Sequence, residues 1–525
     1  MWRNNEKVLT LLGFGVIIRL QTNIKGGNFM NNGFEQNPNT VNNETVAENN
    51  PAPKKKKTGL IIAIVAIAVV VALAAVLVFS LIAGNKDEED LNIFSEGLLP
   101  VAIEDEEEGE LWGYVNKKGE EVIKAKFAEA YHFSECGLAL VKTVGDDDGD
   151  GMYGYINKKG EFVIKAKYVD AYGFNEYNVA AVKDEDGKWG LLNKKGETIL
   201  KPKYDYMGEF GDAKTAVIAK IDEETDEMLY GIINTKGEVV IKAKYDAIYN
   251  FNEDGYTAFR QNNEDGEAKW GIINKKGEVI TRAKYDSATA FDDYNLSIVS
   301  IRKDGESEYG VVNHKGDSVV KTKYAYIGAF SEDDGLACFA NSEGKYGYIN
   351  TKGEVVIDAE FYKAYGFVDG LALVSDKKSG DDMFFINKKG EAAVEPDDYV
   401  FKGEFAENGL ILIYDDKEEK YGFANKKGEI VIDCEFDRAM DFADNGLALV
   451  EEGEECGFIN KKGDYVIRPN YEAASTFYDD GYALAIIDED GDKLWGIINK
   501  KGEWVVKAKY IGIMSPGILD RQQMR

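Results

Sequence analysis

The stretch Tyr153-Gly154-Tyr155-Ile156-Asn157-Lys158-Lys159-Gly160-Glu161-Phe162-Val163-Ile164 decides the fold. An apolar pair, Tyr155-Ile156, runs into Asn157-Lys158-Lys159-Gly160, and an apolar run, Phe162-Val163-Ile164, leaves it. Asparagine suits the opening position of a type I turn, and glycine suits the left-handed position that closes a hairpin through a bulge. The segment therefore predicts two antiparallel strands joined by a tight turn.

Moving outward, the same turn recurs at Asn116, Asn157, Asn193, Asn234, Asn274, Asn313, Asn350, Asn387, Asn425, Asn460 and Asn499, at spacings of 35 to 41 residues. That period marks a solenoid or a propeller. Every copy ends in Lys-Gly followed by an acid, as in Lys118-Gly119-Glu120 and Lys501-Gly502-Glu503. A glycine precedes the turn in ten copies, and in nine it follows an aromatic, as in Trp189-Gly190 and Tyr309-Gly310. Each unit also carries an upstream phenylalanine, from Phe94 onward, usually before an apolar run such as Gly137 to Val141. A further aromatic follows the hairpin, from Phe127 through Tyr168 to Tyr510.

One unit thus reads as a meander of three firm strands and a short fourth. Its aromatic and β-branched positions are expected to pack within and between units. The competing expectation is a row of exposed Trp and Tyr rings that would serve as ligand platforms. The fold class is an all-β repeat array of eleven units over residues 94–510. Eleven exceeds the usual four to eight blades of a propeller. An open superhelical stack is therefore the first expectation, with a propeller-like ring or two propellers as alternatives. Residues 511–525 do not resemble a further unit and read as an irregular tail.

The pattern resembles the WG-repeat (KWG-repeat) family of bacterial proteins. The resemblance rests on Trp112-Gly113, Trp189-Gly190, Trp270-Gly271 and Trp495-Gly496, on the Asn-x-x-Gly turns, and on the phrase from Phe94 to Val101. It implies repeat modules joined to membrane anchors, zinc ribbons or enzymes, the repeats themselves having no assigned activity. The chain has no CxxC pair of the kind that some relatives carry before the membrane helix. One unit departs from the pattern: Met383-Phe384 replaces aromatic-Gly, Ala392-Ala393 thins the next strand, and Pro396 with one extra residue displaces Tyr399.

Leu60 to Ala83 is 24 residues long with Ser80 as its only polar interruption. As a helix it would reach about 36 Å, enough to cross a bilayer. Lys54 to Lys57 abut one side, and Asp87, Glu88, Glu89 and Asp90 follow the other. Excess lysine marks the cytoplasmic flank, so a membrane helix over residues 58–84 is expected, with the repeats extracytoplasmic. Residues 1–57 read as a disordered cytoplasmic tail, residues 85–93 as an acidic linker. Met30 opens the low-complexity part of the tail, so residues 1–29 are expected to be an extension ahead of the true start.

The formal net charge is −31, which argues against nucleic acid as a partner through phosphate contacts. Cys136, Cys338, Cys434 and Cys456 are scattered and read as small core hydrophobes. His132 falls in a turn-like stretch and His314 occupies a lysine position of the turn; neither is set in a catalytic motif. No phosphate-binding glycine motif is present. Asp146, Asp148 and Asp150 match the first half of a calcium loop, although the residue at the twelfth position is Asn157 and not glutamate. Calcium is the only candidate cofactor, and a solvated acidic loop is the plainer reading. The expected function is a membrane-tethered, extracytoplasmic scaffold for protein or envelope components. A glycan- or peptidoglycan-binding module is the alternative, and no enzymatic activity is expected.

Overall fold

The computed structural model describes residues 7–11, 16–20 and 92–515, apart from 146–150, 264, 380–381, 397, 404 and 407. The expected membrane helix over residues 58–84 and the acidic loop at Asp146, Asp148 and Asp150 lie outside the described residues. Among those described, no helix is long and apolar enough to cross a membrane. Within the segment read as a disordered tail, Lys7–Leu11 and Val16–Leu20 pair as an antiparallel hairpin.

The turn forms as its residues require. The Gly160 N–H donates to the Asn157 carbonyl at 2.8 Å, and the Asn157 N–H donates to the Glu161 carbonyl at 2.9 Å. Gly160 sits at φ 77°, a region where an L side chain costs about 1–2 kcal/mol. The side chains complete the turn. Asn157 Oδ1 accepts from the Lys159 and Glu161 N–H groups, and its Nδ2 donates to the Glu161 carboxylate at 2.9 Å. The acid after the glycine is therefore the partner of the asparagine amide. The arrangement repeats from Asn116 with Glu120 to Asn499 with Glu503.

Each unit is a four-stranded antiparallel meander. In the third, Asp170–Ala171, Val179–Lys183, Trp189–Asn193 and Thr198–Tyr204 pair in chain order. The fourth strand runs almost without interruption into the first strand of the next sheet; only Asp205 separates Thr198–Tyr204 from Tyr206–Phe210. Between the first two units the join is a single strand, Glu121–Phe133, shared by both. His132 accordingly lies in a strand and not in the turn expected from the sequence.

The glycine before the turn has a separate cause. A Cβ on Gly154 would stand 2.6 Å from the Ala166 nitrogen, and one on Gly310 would stand 2.6 Å from the Val320 carbonyl oxygen. The third strand bulges here and crosses its neighbour's backbone at a distance only glycine allows.

The array does not remain open as first expected. Gly512–Ile513 pairs with Leu98–Asp105, so Val101 faces Ile513 and Ala102 faces Gly512. This two-residue strand takes the place that Asp170–Ala171 takes in the third sheet. The stretch read as an irregular tail therefore supplies the missing first strand of the first sheet. The other contacts of the junction agree. Gly160 packs on Ile123 of the preceding sheet, and Gly119 packs in the same way on Val505 and Val506 of the eleventh. Eleven buried clusters lie between successive sheets, and one of them joins Phe94, Leu99 and Val101 to Leu484, Val506 and Ile513. Every sheet thus buries both faces against a neighbour, which an open stack leaves undone at its two ends. The ring alternative describes the molecule.

Candidate interaction surfaces

The recurring aromatics are architectural. The ring that follows the turn is buried in all eleven units, at the end of the fourth strand in ten of them, from Phe127 to Tyr510, and beyond the shortened strand at Tyr399. The upstream phenylalanine is buried in nine units and half-buried at Phe210 and Phe405. Where the third strand carries a central tyrosine, its hydroxyl is also satisfied: Tyr114, Tyr155 and Tyr348 donate to the Tyr131, Tyr172 and Tyr365 carbonyls at 2.7–2.8 Å. Packing claims these positions.

A smaller set of rings remains at the surface. Tyr206, Tyr326 and Tyr365 are exposed on the first strands or at their ends, and Tyr172 and Tyr249 are half-buried at matching positions. Tyr172 stacks on Trp189 and Tyr249 on Trp270, each at 5.0 Å between ring centres. Tyr326 lies between Tyr309 and Tyr346, each about 6.4 Å away and edge-on. Tyr206 and Tyr326 reach this belt from two residues earlier in the chain, each folding toward a glycine, Gly208 or Gly328. Sequence reading missed the belt because its members alternate between two positions. The signal was the Tyr-x-Gly spacing.

The hairpins between second and third strands differ from unit to unit. Two residues link Lys303 to Glu306, and six link Ile221 to Met228. They are rich in acids; at the joins between sheets, outside these hairpins, some carboxylates are tied down. Asp205 is held below its usual range despite partial burial, by Lys188 and the Ile221 N–H. Glu129 is also lowered: its burial is outweighed by hydrogen bonds from the Tyr131 and Tyr153 hydroxyls. Asp292, in a loop between first and second strands, goes the other way, pushed up to about 6 by burial.

The candidate chemical groups stay apart. Among the described residues no cluster of His, Cys, Asp and Glu has the geometry of a metal site. All four cysteines are free thiols; Cys338 and Cys456 are buried, as small core residues are, and burial pushes the Cys338 thiol up to about 11. Burial likewise lowers the His132 imidazole to about 4. His314 lies against the ring of Tyr256, 4.7 Å between centres. Clefts between neighbouring sheets are shallow; one, of about 380 Å³, is lined by Lys167, Tyr168, Leu192 and Leu200 together with the acids Asp184, Glu185 and Asp186.

A family model described as the WG containing repeat matches residues 112–145, 153–189, 189–218, 230–264, 270–303, 309–345, 346–378, 421–456, 457–490 and 495–514. It passes over residues 379–420, where the third strand of the eighth sheet has no glycine. No curated protein matches the chain. Among solved structures, a eukaryotic initiation factor is similar at 11% identity and a TM-score of 0.34, covering 65% of this chain and 100% of its own. The extracellular domain of the putative hybrid two component system BT3049 from B. thetaiotaomicron is similar at 10% identity and a TM-score of 0.23, covering 82% and 66%. BamB from Moraxella catarrhalis is similar at 10% identity and a TM-score of 0.22, covering 50% and 91%.

Proposed function

The chain belongs to the WG containing repeat family, and on that premise we propose that it is an interaction scaffold for protein or cell-envelope components. In this reading residues 58–84 anchor it in a membrane, with the N-terminus cytoplasmic and the ring of repeats extracytoplasmic. One observation carries the reading. Positions that recur in every unit serve turns and core, whereas the surface hairpins change length and charge from unit to unit. A rigid frame with variable loops is the usual arrangement of a binding surface. The reading assigns no catalytic step to the ring.

The test is cross-linking mass spectrometry on intact cells, combined with protease treatment from outside. Cross-links from the hairpins, such as the one between Ile221 and Met228, to envelope proteins are the expected result. Full protease protection of the repeats in intact cells would overturn the topology. A second reading, a glycan- or peptidoglycan-binding module, draws support from the exposed rings of Tyr206, Tyr326 and Tyr365. Retention by purified cell wall alone, lost on Tyr206→Ala and Tyr326→Ala, would favour it.

A further inference from the structure

The fourth strands present an outward face on which two charged residues, two positions apart, flank a more buried one. These pairs do not follow the composition of the chain. Acids outnumber bases 94 to 63. Yet all fourteen such positions are cationic from Lys507 and Lys509 in the eleventh sheet, through Lys124 and Lys126 in the first, to Lys321 and Lys323 in the sixth. The sign then reverses at the same register: Asp358 and Glu360 in the seventh sheet, Asp433 and Glu435 in the ninth. Closure of the ring is what makes the cationic pairs one uninterrupted arc of seven sheets, because the eleventh sheet adjoins the first.

Exposed edge strands are commonly blunted by charge, lysine above all, but that role asks for no unbroken run of one sign over seven adjoining sheets, and the seventh and ninth sheets fill the same register with acids. Two carboxylates at the joins between sheets are engaged by lysines outside the arc, Asp205 by Lys188 and Asp286 by Lys269. The second lysine of each pair leans on the buried ring beside it. The Nζ atoms of Lys167, Lys203 and Lys244 stand 4.8–5.2 Å from the ring centres of Tyr168, Tyr204 and Tyr245, and the three lysines are exposed. Paired lysines lie about 7 Å apart along the strand. All but one of the fourteen cations are lysine, a flexible point charge that suits tetrahedral phosphate in varied orientations better than planar carboxylate.

We propose that this arc binds a linear, phosphate-bearing polyanion laid across the fourth strands of successive sheets. Many weak contacts on one polymer overcome the negative charge of the whole molecule, where a single small anion would not. Asp184, Glu185 and Asp186 line the cleft between the second and third sheets beside Lys167, so their repulsion favours a polymer that passes over the cleft and not into it. The acidic seventh sheet bounds the arc at one end, and at the other the tenth sheet holds Arg468 but the uncharged Asn470 at this register.

The experiment is fluorescence anisotropy of the full-length chain with end-labelled, long-chain inorganic polyphosphate over a salt series. Salt-dependent binding is expected, with no measurable binding of orthophosphate. Replacing Lys165, Lys167, Lys201 and Lys203 together by Gln should weaken binding by about tenfold or more and reduce the salt slope by about one per lysine removed. The same four replaced by Arg should bind as the parent chain does, which separates lost charge from lost fold. Asp358→Asn with Glu360→Gln should leave affinity unchanged or raise it. The idea is overturned by absence of binding at the lowest salt, by equal affinity of the Gln variant, or by loss of binding in the Arg variant. Equal binding of polyglutamate would remove the phosphate assignment, and preferential binding of duplex DNA would reassign the arc to nucleic acid.

Discussion

The sixth and eighth sheets contain the same turn and end differently. In the sixth, Tyr309-Gly310 leads into the Asn313 turn, and the fourth strand, Ser318–Tyr324, pairs over seven residues. In the eighth, Asn387 makes the same turn, accepting from the Lys389 and Glu391 N–H groups and donating to the Glu391 carboxylate. Its fourth strand, Ala392–Val394, stops after three residues. Phe384 stands where Gly310 allows its neighbour's backbone to pass, and its ring lies instead against Phe361 of the preceding sheet. With the crossing blocked, Glu395 and Pro396 leave the ladder, and the extra residue is absorbed before Tyr399, which still reaches the core. The turn is thus a local unit. The length of the strand beyond it depends on one glycine. The family model passes over the third and fourth strands of this sheet and the first two of the ninth, and neighbour-by-neighbour packing lets the rest of the ring tolerate the irregularity.

The largest expected effect comes from importing the irregularity. Gly310→Phe places a side chain 2.6 Å from the Val320 carbonyl and should destabilise the ring by more than about 3 kcal/mol. Urea unfolding would measure it, and a cost below about 1 kcal/mol would detach the glycine from strand length. Next is the closure. Ile513→Ala truncates a buried residue of the junction cluster and should cost about 2–4 kcal/mol. Hydrogen exchange should rise in the first and eleventh sheets while the sixth stays protected; a uniform rise would mean that the ring unfolds as one unit.

A third prediction concerns pH. Burial raises the Asp292 carboxyl to about 6 in the folded protein, against 3.8 ordinarily. The folded state therefore holds its proton more tightly than the unfolded chain, and stability falls as pH rises from about 4 to 6. Asp292→Asn should stabilise the protein by about 1–3 kcal/mol at pH 7 and have no benefit below pH about 4. Thermal melts at the two pH values would show it, and a pH-independent gain would assign the effect to something other than the proton. The smallest effects test the autonomy of the turn. Asn387→Ala and Asn313→Ala should each cost about 1 kcal/mol, and equally, because both turns make the same exposed bonds. A clear difference between them in denaturant midpoints would show that the turn depends on the sheet behind it.

Much of the fold was legible because its signals are local. Asn157 and Gly160 declare a turn within four residues, since one needs a side-chain acceptor and the other a positive φ. Tyr168 and Phe174 declare core because large apolar rings at a fixed period must find a common interior. The acid at Glu161 was visible but unexplained until its bond to the asparagine amide was in place. The belt of Tyr206, Tyr249 and Tyr326 was not legible, because its rings come from different positions and meet only across strands. The Lys-Ala-Lys pairs and a lysine stripe along stacked units were legible, because residues two apart share a strand face; that the stripe runs unbroken from the eleventh sheet to the sixth was not, because it depends on the closure.

By itself, then, the sequence determined the turn chemistry, the repeat period, the β-rich class and the core aromatics, all of which follow from properties of a few neighbouring residues. Only the tertiary structure decided that the array closes. Two residues, Gly512 and Ile513, make that decision by pairing with Val101 and Ala102 some four hundred positions earlier. No local property of so short a strand announces a partner at that distance. Tertiary structure also decided what the glycine before the turn is for, because steric exclusion by another strand's backbone exists only after the two strands have met.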